Sequence, residues 1–153
     1  MPGKKIIPCL WIDDRIEEMV NFYVATFKDA EIRDVSRYPD GRALTMHFRL
    51  KDQEFMALNG GPEHKFSLAL SLLVNCKNQK EVDALWKKLS AGGKKIACGW
   101  LTDKFGVAWQ ITPTILLDYI NDKNPTKAKN VMQAMMKMQK IDINRLKQAY
   151  RKQ

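Results

Sequence analysis

The pattern of apolar and polar positions in the first half of the chain predicts a strand, a helix and three further strands. An apolar run over 5–12 indicates a strand, with Pro8 at its start or at a sheet edge. The apolar residues that follow have helical spacing: Ile16, Met19, Val20, Tyr23 and Phe27. Asp14 and Glu17 have the spacing of a capping box, so Asp14 is predicted to cap this helix. Strands are then predicted over 31–38, 43–50 and 53–59.

The second half repeats this order of elements. A strand is predicted over 68–75, and a helix follows Asn78, which has Glu81 at the capping-box spacing. The apolar positions of this helix are Val82, Leu85, Trp86 and Leu89. Shorter strands are predicted near 95–101 and 106–112. The shared order predicts an α+β protein with two βαβββ modules, at about 5–60 and 67–113.

Beyond Pro113 the pattern changes to that of helices. The first is predicted over 114–120, the second is predicted to be capped by Thr126, and the third by Asp142. Methionines recur along the second of them, where adaptable packing explains them better than a ligand site. We therefore expect a domain over 1–122 and a basic helical C-terminal extension over 123–153.

The net charge of +9 changes this picture because it is concentrated in the extension. Residues 124–153 carry eight lysines and arginines against one acid, which is +7 and leaves +2 for the other 123 residues. A basic tail raises the possibility of a nucleic-acid binder. Its cations alternate with apolar residues, and aromatic residues are nearly absent from it. These features favour a solvated helix face and argue against nucleic acid as a partner.

Composition and cysteine usage exclude several classes of protein. Hydrophobic residues make up 45% of the chain and charged residues 28%, which excludes wholesale disorder. No apolar run approaches the roughly 20 residues that span a bilayer, and the N-terminus lacks the apolar core of a secretory signal, so we expect no membrane partner. The three cysteines, Cys9, Cys76 and Cys98, form no CxxC pair. We therefore expect a cytoplasmic protein with reduced thiols.

Motifs of catalysis are scarce. The chain has two histidines, His47 and His64, and neither has a partner at metal-ligand spacing. It contains no GxSxG elbow, P-loop or GxGxxG segment. Polar residues that end or interrupt apolar strands are more informative, because a buried amide needs a hydrogen-bond partner or a ligand. Asn59, Ser71 and Gln110 are residues of this kind.

Several segments of the chain carry a family resemblance. They are Pro8-Cys9-Leu10-Trp11, Glu17-Glu18, Asn21-Phe22-Tyr23, Gln53-Glu54-Phe55-Met56-Ala57-Leu58-Asn59-Gly60-Gly61-Pro62, Cys98-Gly99-Trp100-Leu101-x-Asp103-Lys104-Phe105-Gly106, Trp109-Gln110-Ile111-x-Pro113-Thr114 and Val131-Met132-Gln133-Ala134-Met135. In this order they resemble the PhnB-like branch of the glyoxalase/bleomycin resistance/dioxygenase superfamily, the vicinal oxygen chelate proteins. Members often carry the label 3-demethylubiquinone-9 3-methyltransferase.

The resemblance implies a fold and a metal position. It implies two βαβββ modules that form a cupped mixed sheet, with a cavity inside the cup, in a homodimer. Enzymes of the superfamily bind a divalent metal through four side chains, which correspond here to Ile7 or Pro8, the segment 57–59, Ala69 and Gln110. Asn59 and Gln110 are the donors that remain, and two neutral amides suit Zn²⁺, Ni²⁺ or Fe²⁺ poorly. We therefore expect no cofactor and no divalent metal.

The resemblance and the strand alternation together predict a binding site for a small, partly aromatic or apolar molecule. We expect Cys9, Trp11, Ser71, Ala108 and Gln110 on the inward face, and Leu10, Ile12, Leu70, Leu72, Trp109 and Ile111 on the face toward the helices. We expect Asn59, Phe66 and Trp100 at the rim. Asn59 and Gln110 would orient a polar group of the ligand, and tryptophan would supply stacking area.

Other functions remain open. The chain could be an enzyme, metal-independent or weakly metal-dependent, that acts on a small metabolite, or a protein that sequesters an antibiotic or toxin without turnover. The methyltransferase label leaves the enzyme class undecided, because the chain lacks the Gly-rich strand-to-helix turn that holds a nucleotide-like methyl donor. Stoichiometric metal in the purified protein would favour the chelate chemistry of the superfamily.

Overall fold

The computed structural model describes residues 5–152 and divides the chain into two compact units. The first unit is Met1–Lys65 and the second is Phe66–Gln153. Residues 1–4 and Gln153, which the predicted domain boundaries include, lie outside the described residues. The division falls in the loop between the two predicted βαβββ modules.

The first unit is one helix packed on a four-stranded mixed sheet. Its elements are β1 (Cys9–Ile12), α1 (Ile16–Thr26), β2 (Ala30–Arg37), β3 (Ala43–Leu50) and β4 (Gln53–Asn59). The strand order is β1-β4-β3-β2, in which β1 is parallel to β4 and the other pairs are antiparallel. Leu10 and Ile12 of β1 are buried, as are Met19, Val20 and Tyr23 of α1. The core therefore lies between α1 and one face of the sheet.

The second unit has the same topology. Its elements are β5 (Ser71–Cys76), α2 (Gln79–Ser90), β6 (Lys94–Lys95), β7 (Trp100–Thr102), β8 (Ala108–Pro113), α3 (Thr114–Ile120), α4 (Pro125–Met135) and α5 (Ile143–Arg151). The strand order is β5-β8-β7-β6, with β5 parallel to β8. The four predicted apolar positions of α2 are buried. The predicted α+β class with two βαβββ modules and C-terminal helices is confirmed.

Two of the four predicted helix caps are present. The side chain of Asn78 accepts a hydrogen bond from the backbone N–H of Glu81 at 2.9 Å, and Asp142 accepts one from Arg145 at 3.1 Å. The caps predicted at Asp14 and Thr126 are wrong. Asp14 has a left-handed φ of 50° and α1 has no local side-chain cap, while α4 is capped by Asn124.

The strand predicted over 68–75 begins later than the apolar run suggests. Its pairing with β8 begins at Ser71, opposite Ala108, so the strand is Ser71–Cys76. Leu70 lies before it and is 66% exposed, so the prediction that Leu70 faces the helices is wrong. The first strand is also shorter than predicted, because its pairing with β4 begins at Cys9.

The three C-terminal helices share a hydrophobic cluster of their own. Its buried members are Leu116, Val131, Met138, Ile141, Leu146 and Ala149. Tyr119 of α3 and Tyr150 of α5 stack beside it with their ring centroids 4.1 Å apart. No helix among residues 5–152 is long and apolar enough to cross a membrane.

Candidate functional site

The seven predicted ligand-binding residues fall into two groups, one in each unit. Cys9, Trp11 and Asn59 belong to the first unit. The others belong to the second unit, and they are Phe66, Ser71, Trp100 and Gln110. We describe the two groups separately.

Trp11 is held in one position by the turn that follows β4. Its indole Nε1–H donates to the backbone carbonyl of Gly61 at 2.9 Å. The six-membered part of the ring lies directly against Gly60, where a Cβ atom would stand 2.2 Å from the ring. The ring of His64 packs edge-on against the indole, with centroids 5.0 Å apart. The Gly60-Gly61 pair therefore serves as a seat for the indole, a role beyond that of a chain-breaking turn.

A cavity of about 440 Å³ opens beside this indole. It combines aromatic, apolar and charged groups, contributed by Trp11, Asp13, Asp14, Tyr38, Arg42, Leu44, Leu58, Asn59, Gly60 and Gly61. Its residues come from β1 and β4, from the start of β3 and from the loops beside them. The parallel pairing of β1 with β4 brings Trp11 opposite Leu58. Two strands that are distant in sequence thus provide one wall.

Tyr38 and Arg42 also line the cavity, and sequence reasoning missed both. The Tyr38 hydroxyl donates to the backbone carbonyl of Asn59 at 3.2 Å. The Arg42 guanidinium lies over the Tyr38 ring, 5.3 Å from its centroid, and pairs with Asp40 at 2.8 Å and Asp14 at 3.1 Å. These carboxylates raise the pKa of Arg42, Asp40 most strongly. Both residues flank the β2–β3 turn, between the strands predicted over 31–38 and 43–50, and nothing in the spacing of the sequence marked them as site residues.

Asn59 lines the cavity, yet its side-chain amide is bonded to backbone. Its Nδ2 donates to the carbonyl of Ala43 at 2.6 Å, and its Oδ1 accepts from the N–H of Ile16 at 3.3 Å. Ile16 is the first residue of α1, so Asn59 supplies the cap that Asp14 was predicted to supply. Local spacing could not predict that Asn59 caps α1, because Asn59 and Ile16 are far apart in the chain.

Cys9 lies on the same face of β1 as Trp11, since side chains alternate along a strand. Cys9 as a whole is exposed to solvent. Its thiol is nevertheless partly desolvated by neighbouring groups, and this raises the pKa of the thiol. A raised thiol pKa lowers the fraction of thiolate at neutral pH. The raised pKa argues against Cys9 as a nucleophile, and Cys9 is not among the residues that line the cavity beside Trp11.

The second unit brings three of its four candidates together on one sheet face. The Gln110 Nε2 donates to the Ser71 Oγ at 2.9 Å, across the parallel pair β5–β8. Trp100 lies directly opposite Gln110 in the antiparallel pair β7–β8. All three side chains are half-buried. The neighbouring residues Leu101, Trp109 and Ile111 point to the other face and are buried.

Phe66 occupies a different place in the second unit. Its ring lies over the turn between β7 and β8, 3.9 Å from where a Cβ atom on Gly106 would stand. The chain is in a left-handed conformation at Gly106, with φ of 87°, which favours glycine. Phe66 thus covers this turn.

The positions that correspond to superfamily metal ligands do not fit a metal. Ile7, Pro8 and Ala69 lack a side-chain donor atom, and both polar atoms of the Asn59 amide are bonded to backbone. The carbonyl oxygen of Gln110 is the one side-chain donor left at these positions, which is too few for a divalent metal. Within residues 5–152, no three His, Cys, Asp or Glu side chains form a group that could hold a metal ion. We assign no step of chemistry to a metal in this chain.

Replacing Gly60 with alanine should displace Trp11 and cost about 1–2 kcal/mol of stability, because the new Cβ overlaps a rigid ring. The Trp11 indole N–H signal in a ¹H–¹⁵N NMR spectrum should shift strongly. Gly41→Ala is the control, since its Cβ meets nothing within 4 Å and its cost is that of a left-handed φ alone. An unmoved indole signal in Gly60→Ala would contradict the seat that we describe.

Comparisons with known proteins cover most of the chain. The model of a family described as 3-demethylubiquinone-9 3-methyltransferase matches residues 4–112. The PhnB protein from Bacillus cereus, to which the same activity is ascribed, is 33% identical, with 72% of this chain and 100% of that chain covered and a TM-score of 0.67. No curated protein matches the chain.

Two further solved structures are similar in fold. Protein PA1353 from Pseudomonas aeruginosa is 18% identical, with 70% of this chain and 95% of that chain covered and a TM-score of 0.60. The fosfomycin resistance protein FosX from Listeria monocytogenes, in complex with Mn(II) and 1S,2S-dihydroxypropylphosphonic acid, is 14% identical. The match to FosX covers 71% of this chain and 90% of the FosX chain, with a TM-score of 0.54.

Proposed function

The chain belongs to the 3-demethylubiquinone-9 3-methyltransferase family of the glyoxalase/bleomycin resistance superfamily, and we propose that it binds a small, partly aromatic or apolar molecule without a divalent metal. The observation that carries this proposal is the cavity of about 440 Å³ beside Trp11. Its volume lies within the range of small-molecule sites, roughly 300–1,000 Å³.

The lining of the cavity favours a flat ligand with one polar group. Trp11 and Tyr38 offer aromatic surface, and both are fixed by hydrogen bonds to backbone carbonyls, so little side-chain freedom is lost on binding. Leu44 and Leu58 add apolar surface. Asp13 adds a carboxylate that can accept a hydrogen bond from the polar group of the ligand.

The sheet face around Gln110 supports the same function for the second unit. Gln110 and Ser71 hold each other through one hydrogen bond, which leaves the Gln110 carbonyl oxygen to accept a bond from a ligand. Trp100 lies beside them on the same face. We propose this face as a separate binding surface of the second unit.

The proposal includes a cytoplasmic homodimer and assigns no methyl transfer to the chain. Free thiols at Cys9, Cys76 and Cys98 support a reducing compartment. The methyltransferase description is the name of the family, and neither candidate group contains the Gly-rich strand-to-helix turn that holds a nucleotide-like methyl donor. Analytical ultracentrifugation of the full chain tests the dimer.

Titration of the full chain with indole and phenol, followed by ¹H–¹⁵N NMR, tests the binding function. We expect saturable shifts of the Trp11 indole N–H and of the Gly61 amide. Trp11→Leu should weaken binding by about ten-fold, since loss of an aromatic contact of about 1.4 kcal/mol has that effect.

Trp100→Leu is the matched control because it makes the same change on the other sheet. It should leave the shifts around Trp11 unchanged. If Trp11→Leu binds both probes as tightly as the natural chain, the cavity beside Trp11 is not the binding site. If neither variant binds more weakly, the proposed function itself fails.

A further inference from the structure

A groove between α4 and α5 lies outside the region that the family model matches. Its volume is about 310 Å³. One wall comes from α4 and the turn after it, at the helical spacing of Asn130, Gln133, Ala134 and Lys137. The other wall comes from α5 and the residue after it, and repeats that spacing with Arg145, Gln148, Ala149 and Lys152. Two equivalent stripes therefore face each other.

The two stripes run in opposite directions. The Asn130 Nδ2 donates to the carbonyl of Lys152 at 3.2 Å, which joins the start of one stripe to the end of the other. Lys137 and Arg145 are consequently the stripe residues nearest the opposite end of the groove. Ala134 and Ala149 line the middle of the groove, and because their side chains are small this part of the groove is open.

The groove is held in shape before any ligand arrives. The hydrophobic cluster behind it contains Val131 of α4 and Leu146 of α5, both fully buried. The side chain of Gln79 forms two hydrogen bonds with the connection between α4 and α5. Its Nε2 donates to the backbone carbonyl of Ile141 at 3.0 Å, and its Oε1 accepts from the backbone N–H of Ile143 at 2.8 Å. A preformed site loses less entropy when it binds than one that must be ordered.

All the charged residues that line the groove are positive. Lys137, Arg145 and Lys152 line it without an acidic residue, and no carboxylate within residues 5–152 pairs with any of the three. Other cations of the extension have partners, since Lys140 pairs with Asp83 at 2.7 Å and Lys127 lies 4.7 Å from the centroid of the Tyr150 ring. The three groove cations thus form a positive site that an anion would neutralise.

We propose that this groove binds a small phosphate monoester. A phosphate group carries a charge of about −1.5 to −2 at neutral pH, which matches the guanidinium and ammonium groups of Arg145 and Lys137 at one end. Arginine binds phosphate oxygens through two parallel N–H bonds. The amides of Gln133 and Gln148 offer donors and acceptors for hydroxyl groups on the rest of the ligand.

The groove suits a small ligand better than a nucleic acid. It is about 310 Å³ in volume and is bounded at one end by the contact between Asn130 and Lys152. Its lining contains no aromatic side chain for stacking bases, which single-strand binders use.

Titration of the full chain with glycerol 2-phosphate at constant ionic strength tests the proposal, with glycerol as the neutral control. We expect saturable shifts of the Gln133 and Gln148 side-chain amides in ¹H–¹⁵N NMR. The triple variant Lys137→Gln, Arg145→Gln, Lys152→Gln should bind at least about ten-fold more weakly, because each charged hydrogen bond is worth more than a neutral one.

The matched control removes three exposed cations of the same extension that do not line the groove: Lys129→Gln, Lys147→Gln and Arg151→Gln. Glutamine has nearly the helix propensity of lysine and arginine, so both variants should fold, which circular dichroism checks. The control should change affinity by less than about two-fold, since it leaves the hydrogen bonds intact. Arg145→Lys, which keeps the charge and loses the planar fork, should weaken binding by a few-fold.

Equal weakening in both triple variants would overturn the proposal, because it would show attraction to general positive charge. Absence of saturation would overturn it as well. A short oligodeoxythymidine is the third probe. If it binds more tightly than glycerol 2-phosphate and both triple variants lose it equally, the extension is a nucleic-acid surface and the groove is not a phosphate site.

Discussion

Replacing Asp103 with alanine is expected to lower the free energy of unfolding by about 4 kcal/mol, because it leaves three buried donors unsatisfied. Asp103 is 3% exposed. Its Oδ1 accepts from the backbone N–H groups of Phe105 at 2.9 Å and Val107 at 3.1 Å, and its Oδ2 accepts from the indole of Trp109 at 2.9 Å. One carboxylate therefore holds the β7–β8 turn and the strand that carries Gln110.

Urea denaturation of the full chain measures this loss. Asp103→Asn keeps an acceptor for the two backbone N–H groups and places an amide N–H against the Trp109 indole, so it should lose about 2 kcal/mol. Asp118→Ala removes an exposed aspartate from the same unit and should change stability by less than about 0.5 kcal/mol. A loss below about 1 kcal/mol in Asp103→Ala would contradict this account of the turn.

Replacing Asn59 with alanine should cost about 3 kcal/mol, since the carbonyl of Ala43 and the N–H of Ile16 are both left without their partner. Ala43 and Ile16 are 1% and 0% exposed, so water does not replace the lost bonds. The start of α1 should become less protected against amide hydrogen exchange, because Asn59 caps it.

This variant also separates two roles for Asn59. If the side chain served a ligand alone, its removal would weaken ligand binding and leave the denaturation midpoint where it was. The control is Asn21→Ala, an exposed asparagine on α1, which should change stability by less than about 0.5 kcal/mol. Stability unchanged in Asn59→Ala would show that the two backbone bonds contribute little.

The caps show which parts of the fold could be predicted from sequence. Asn78 and Glu81 act on neighbouring backbone groups, so their spacing was sufficient to predict them. At α1 the same spacing failed because Asp14 adopts a left-handed φ and the N–H of Ile16 bonds to Asn59, far along the chain. Spacing describes local geometry and contains no information on partners from another strand.

In the candidate site, too, local patterns predicted some residues and missed those that depend on contacts between distant strands. Alternation along β8 and β5 was enough to place Ser71 and Gln110 on one face, where they form a hydrogen bond. Tyr38 and Arg42 were missed because their place in the cavity depends on how the β2–β3 hairpin pairs with β4. The first residue of β5 was misplaced for a similar reason, since the partner strand determines where pairing begins.

The parallel pairs β1–β4 and β5–β8 determine when each unit can fold. In both units the strand that opens the unit pairs with the strand that closes its βαβββ motif, as Cys9 with Met56 and Ser71 with Ala108. Closing so long a loop costs entropy before its contacts form, so we expect this pairing to be the slowest step in the folding of each unit. During synthesis each sheet therefore stays incomplete until its last strand has left the ribosome, and until then β1 and β5 have no partner strand on either edge.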